Sequence, residues 1–222
     1  MGLIELENLV KEWRKGPSGP LPKINLMKLI SATIMISWYK PIGRYLLSEL
    51  TNVPQGVMRG LLKRLQNSNY VMMSKRGAIL TPLGEKILNE TLNDLKINRI
   101  NKLNAEEMKS LVQGKCIIGV CIRKVANNIK SGVEQRDEAI KHGARGATTI
   151  VCKSNDLRIP PTYESLKQLS PNIYRLLMVK FNPEDDDVII ISWNDKEGIV
   201  LEGIVSAVIL TLGLKTLLNQ NI

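Results

Sequence analysis

The chain has 222 residues, 44% hydrophobic and 23% charged, a composition that suits a soluble globular protein with one large core or two modest ones. Its formal net charge of +10 is uneven: residues 1–104 hold 16 Lys+Arg against 7 Asp+Glu, a net of +9, and residues 105–222 hold 15 against 14, a net of +1. Three cysteines without a CxxC exclude a disulfide framework, and the longest apolar run, Gly203 to Leu214, is 12 residues where a bilayer needs about 20.

The first run, "MGLIELENLVKEWRK", mixes charge with apolar residues, which does not suit a signal-peptide core, and residence in the cytoplasm with reduced thiols is expected. Leu3 to Lys15 has helical spacing and ends in the Pro/Gly-rich connector "GPSGPLPK". From Asn25, "NLMKLISATIMIS" predicts a mostly buried helix, and "KPIGRYLLSEL" a short second one starting near Ile42.

The next stretch carries the chemistry. With Pro54 to Asn67 on a wheel of 3.6 residues per turn, Val57, Met58, Leu61, Leu62 and Leu65 share one side. Gln55, Arg59, Lys63 and Gln66 fall on the other within about 80° of arc. Thr51-Asn52-Val53 is a tight joint between two helices, which gives helix-turn-helix anatomy. Arg can bond both acceptors of a guanine edge, Gln can pair with adenine, and Lys can neutralise phosphate. Gly56 and Gly60 lie towards the polar side, where missing side chains let a helix approach DNA closely. Each weakens the helix by roughly 1 kcal/mol, with no evident packing return.

"YVMM" and "AILT" then flank Ser74-Lys75-Arg76-Gly77, a hairpin with two cations at its tip suited to a phosphate backbone. "TPLGE" restarts a helix with Thr81 as N-cap and Pro82 in first position, expected to run to about Lys102. Eight Lys/Arg and two Asp/Glu lie between Lys40 and Lys86. Aromatics make up 4% of the chain, and Tyr45 and Tyr70 are expected in the core, which disfavours a single-strand reader needing exposed stacking platforms.

The segment "IGRYLLSELTNVPQGVMRGLLKRLQNSNYVMMSKRGAILTPLGEKIL" resembles the winged helix-turn-helix domain of archaeal and bacterial transcription regulators. That pattern has a "GRxxLS" second helix, a "VRxLLKxL" recognition helix, a wing and a closing "LTxxG". The whole chain is similar to an archaeal family that pairs this domain with an uncharacterised α+β domain, whose hallmark would be "GVEQRDEAIKHGARGATTIV". The resemblance implies contact with double-stranded DNA.

In the second half, "CIIGVCIRKV" and "ATTIVCK" predict strands around the helical "VEQRDEAIKHGA". "NIYRLLMVKFNPEDDDVIIISWN" reads as two strands joined by an acidic turn, and Gly198 to Leu218 as a closing helix. Arg136, Lys141 and Arg145 are candidates for binding a small anionic effector, weighed against an ordinary surface helix with an Asp137–Lys141 ion pair. "GARG" matches the GxxG loop of KH domains, but a strand rather than a helix follows it. Cys116 and Cys121 face opposite sides of a strand, so no metal or other cofactor is expected. No GxSxG, P-loop or GxGxxG occurs, and with one His no nucleophile–base pair can be assigned, so no enzyme activity is expected.

The expected fold is α+β in three segments. Residues 1–24 are an N-terminal helix and connector, and 25–104 are a winged helix-turn-helix with a trailing linker helix. Residues 113–222 are a small α+β effector or assembly domain. Arg44, Gln55, Arg59, Lys63, Gln66, Lys75 and Arg76 are the candidate DNA-contacting residues. The expected function is a DNA-binding transcription regulator acting as a homodimer, with the closing helix either a source of interface or buried within its own domain. The rivals are a winged-helix adaptor that docks an acidic protein and, less favoured, an enzyme in the second domain.

Overall fold

The structure, a computed structural model, describes residues 1–14 and 24–218; the "GPSGPLPK" connector lies outside the described residues. Two compact units are present, Met1–Asp94 and the part that begins at Leu95.

The first unit contains α1 (Gly2–Arg14), α2 (Leu26–Tyr39), α3 (Arg44–Thr51), α4 (Gln55–Asn67), a hairpin of β1 (Val71–Ser74) and β2 (Gly77–Leu80), and α5 (Pro82–Asp94). Helix α2 is its centre. Leu26, Met27, Leu29, Ile30, Ile34, Met35 and Ile36 are buried, and the Asn25 side chain caps it by accepting the Lys28 N–H at 2.7 Å. Buried Ser31 and Thr33 satisfy their hydroxyls by donating to the carbonyls of Met27 and Leu29, four residues back. Helix α1 buries Leu3, Leu6 and Val10 and packs on α5 and α2.

Between α3 and α4, Asn52 adopts the left-handed conformation (φ 53°), which Asn tolerates, and ends α3. The Ser48 hydroxyl donates to the Val53 carbonyl at 2.6 Å and fixes the joint. In the hairpin Ser74 pairs with Gly77, leaving Lys75 and Arg76 as the loop. Gly77 takes φ +138°, and a Cβ there would lie 2.3 Å from the Ile42 carbonyl oxygen. The hairpin therefore closes on the segment ahead of α3, where Ile42 and Ala78 exchange backbone hydrogen bonds of 3.0 and 2.8 Å. Thr81 caps α5 as expected, its Oγ1 accepting the Gly84 N–H at 3.0 Å.

Helix α5 stops at Asp94, short of the expected Lys102. Lys96 turns to φ +52°, and Ile97–Leu103 is a strand, β3. Its polar composition, "INRINKL", hid an edge strand that pairs on one side only, with β4 (Cys116–Ile122). Short α6 (Ala105–Met108) lies between β3 and β4, and α7 (Val133–Lys141) follows β4. After it come β5 (Gly146–Lys153), β6 (Asp156–Ile159) and β7 (Glu164–Ser165). The chain then forms α8 (Leu166–Leu169), α9 (Pro171–Phe181), β8 (Val188–Asn194), α10 (Glu197–Thr211) and α11 (Lys215–Leu218).

The six strands form one antiparallel sheet in the order β3-β4-β8-β5-β6-β7, so the unit is α+β. Strands β4 and β8 are covered on both faces, which explains their continuous apolar runs. On one face Cys121, Ile150, Ile189 and Ile191 pack with Ile173, Leu177 and Phe181 of α9. Residues 171–181 are therefore helix, not the expected strand: Pro171 opens the helix, and the i, i+4, i+8 spacing of the three buried residues is helical. The opposite face carries α7 and α10. Helix α10 is buried along nearly its whole length by its own unit, the second of the two roles left open for it. Among the described residues no helix is long and apolar enough to cross a membrane.

Candidate nucleic-acid interface

The helical wheel of α4 holds. Met58, Leu61, Leu62 and Leu65 are buried, while Gln55, Arg59, Lys63 and Gln66 are exposed on the opposite face. Gly56 lies in open space on that face. Gly60 does not: a Cβ there would meet Cζ2 of Trp13 at 3.3 Å, and the Arg64 guanidinium stacks 5.0 Å from the centre of the same ring. Gly60 therefore has the packing return that the sequence did not disclose, and Trp13 of α1 forms one border of the polar face. A Trp at the end of an amphipathic helix was the available signal, but its target needed the fold.

Arg59, Lys63, Lys75 and Arg76 are all exposed, and none makes an ion pair among the described residues. Other lysines of the unit are engaged: Lys11 with Glu7 (2.6 Å), Lys40 with Glu85 (3.1 Å) and Lys86 with Glu90 (3.9 Å). The Ser74 hydroxyl pins the hairpin tip by accepting the Arg76 N–H and donating to the Gly77 carbonyl. Two cations are thus presented on a loop of fixed conformation.

Arg44 opens α3 with its guanidinium 4.9 Å from the Tyr45 ring centre. Tyr45 is 63% exposed, contrary to the core position expected for it, because the buried stripe of this short helix takes Leu47, Ser48 and Thr51 instead. Tyr70 is buried as expected. Its hydroxyl donates to Glu5 at 3.0 Å, and burial together with the Glu5 carboxylate pushes its pKa up to about 12.

The structure does not gather Arg136, Lys141 and Arg145 into one site. Arg136 and Lys141 are five residues apart on α7, about 140° around it. Arg136 is paired with Asp137 at 2.9 Å, Lys141 with Glu138 at 3.8 Å, and Arg145 with Asp195. His142 is buried between Glu138 (3.1 Å) and Glu202 (3.7 Å), where it ties α7 to α10. In the acidic turn, Asp187 is fully buried and accepts from the Arg123 guanidinium (2.7 Å) and the N–H groups of Lys124 and Glu184. That residue anchors the turn.

Cys121 and Cys152 are buried, which pushes their thiols up to about 12 and about 11, away from nucleophilic use near neutral pH. Among the described residues no group of three or more His, Cys, Asp or Glu side chains is placed to hold a metal ion. Among the described residues, two buried side-chain atoms have no hydrogen-bond partner, Gln135 Oε1 and Thr149 Oγ1.

Residues 112–212 match a protein family described as "Domain of unknown function (DUF4443)". Among solved structures, the chain is similar to "Hypothetical protein PH0730 from Pyrococcus horikoshii OT3", with a TM-score of 0.65 and 23% identity over 87% of this chain and 98% of that one. At that identity the likeness speaks for the fold alone. No curated protein matches the chain.

Proposed function

We propose that the first unit is a winged helix-turn-helix that reads double-stranded DNA, and that the protein is a transcription regulator. In this reading α4 is the recognition helix, the β1–β2 hairpin is the wing, and Arg44 meets phosphate at the start of α3. The observation that carries the reading is the set of exposed cations without ion pairs on the α4 face and the hairpin tip, beside lysines elsewhere in the unit that are already neutralised. Unpaired cations add a favourable contact to a polyanion without first breaking one. Gln55 and Gln66 flank Arg59 and Lys63, so the face offers base-reading amides as well as charge.

The test is fluorescence-anisotropy binding of mixed genomic duplexes over a salt series, with Arg59→Ala/Lys63→Ala beside the native chain. Native binding that falls steeply with salt, and a variant that loses affinity or sequence preference, support the reading. Absence of binding at low salt refutes it, and so does a variant that binds like the native chain. In the second case the acidic-partner adaptor becomes the reading to test.

A further inference from the structure

Strand β5 pairs with β8 from Gly146 to Val151, but on its other side it is left without a neighbour over the same stretch up to Val151. The Cys152 N–H bonds to the Asp187 carbonyl, and the Asp186 N–H to the Cys152 carbonyl, so Cys152 turns its backbone groups towards the β8 side. Alternation turns those of Val151, Thr149 and Ala147 the other way, towards β6. Strand β6 pairs with Val151 through Arg158 and goes no further along β5. Ile159 leads instead into Pro160 and Pro161, and proline has no N–H to offer.

The result is a notch of about 170 Å³. Its walls are Ala147, Thr148 and Thr149 of β5, the Ser131–Val133 turn before α7, Arg136, and Ile159–Pro161. Thr149 is 4% exposed, and its Oγ1 has no hydrogen-bond partner. A Cβ on Gly132 would lie 3.4 Å from that oxygen, so the glycine leaves space beside it. A buried hydroxyl without a partner is unfavourable unless something completes it.

We propose that this notch binds a small aliphatic monocarboxylate. The Thr149 hydroxyl and N–H supply donors to its oxygens from inside, and Arg136 supplies the charge at the mouth. Among the described residues the Arg136 guanidinium is held by an exposed pair with its chain neighbour Asp137, a partner easily exchanged. Val133, Ile159, Pro160 and Pro161 make an apolar wall for a short hydrocarbon body. A dianionic phosphate is disfavoured. The notch holds one cation, and the Glu134 carboxylate already takes the Ser131 hydroxyl at 2.9 Å close by. Of the three cations expected to hold an anion, Arg136 alone lines the notch. The site stands apart from the DNA-binding reading, and its test involves no DNA.

The experiment is a titration of the ¹⁵N-labelled full chain with sodium isobutyrate at constant ionic strength, followed by amide chemical shifts. Isobutyramide and inorganic phosphate serve as controls. The expected result is saturable shifts at Gly132, Ala147 and Thr149 with isobutyrate and not with either control. Arg136→Gln weakens binding by about tenfold, the scale of a charge-assisted hydrogen bond. Lys141→Gln, on another side of α7, leaves it unchanged. Thr149→Val keeps the shape, loses no hydrogen bond and leaves thermal stability intact, so weaker binding in that variant reports the hydroxyl and not unfolding. Equal response to isobutyramide or phosphate, shifts that do not saturate at these residues, or native affinity in Thr149→Val overturns the proposal.

Discussion

Substitution of Gly56 by Ala separates a surface helix from a helix that docks on DNA. Gly56 sits in the first turn of α4, and no heavy atom lies within 4 Å of the position its Cβ would take. The methyl group therefore enters open space, and the helix gains roughly 0.5–1 kcal/mol from the lost freedom of glycine in the unfolded chain. For a protein of this size that raises Tm by about 1–4 °C. In the proposed complex the same methyl lies on the face that approaches the bases, two turns before Lys63, where one extra carbon in a tight contact costs on the order of 1 kcal/mol and raises Kd about fivefold. Gly60→Ala is the internal control: its Cβ meets Trp13 at 3.3 Å, so the stability gain is smaller or reversed. Urea unfolding and anisotropy on the same preparations read both quantities. A Gly56→Ala variant that is more stable and binds DNA as tightly as the native chain refutes close docking of this face. A variant that is less stable refutes the open geometry itself.

Further outcomes are expected. Removing the two hairpin-tip cations, Lys75→Ala/Arg76→Ala, should lower the steepness of log Kd against log salt by about 2 while leaving sequence preference intact; altered preference would mean that the tip reads bases. Asp187→Ala strands two backbone N–H groups and leaves Arg123 only the exposed Glu184 at 3.2 Å, and should destabilise the chain by about 3 kcal/mol, read as a lowered urea midpoint. Gly146→Ala places a carbon 2.4 Å from Cζ2 of Trp193 and should cost about 1–3 kcal/mol with a shift in tryptophan emission; native behaviour would exclude that contact. Tyr70, Cys121 and Cys152 have pKa values raised by folding, so the fold favours their protonated forms. Their contribution is complete below about pH 9 and is lost as pH rises towards 12, at about 1.4 kcal/mol per pH unit for each group between its unfolded and folded values. Unfolding midpoints at pH 8 and 10.5, with absorbance at 295 nm for Tyr70, check this, and a flat profile would contradict it.

Local pattern made much of the first unit legible. The period of α4, the Thr81 cap and the Ser74–Gly77 turn are interactions over four residues or fewer, so their signals lie side by side in the chain. The exposure of Gln55, Arg59, Lys63 and Gln66 followed from the wheel alone. Patterns failed where a distant partner decides. Ile97–Leu103 reads as the end of a polar helix until β4 offers a ladder to pair with, and Pro171–Phe181 reads as a strand until the face of the sheet selects Ile173, Leu177 and Phe181 together.

The sequence by itself determined an excess of positive charge in the first half, a helix with one polar and one apolar side, and a cationic turn after it, because charge and periodicity are properties of the chain. Only the tertiary structure decided that Trp13 borders the α4 face and that α10 is consumed by its own unit. It also decided that Arg136, Lys141 and Arg145 go to separate carboxylates, and that β6 leaves β5 early to open a notch at Thr149. Each of these depends on groups far apart in sequence meeting in space, and single-chain periodicity carries no record of which distant surface a side chain will meet.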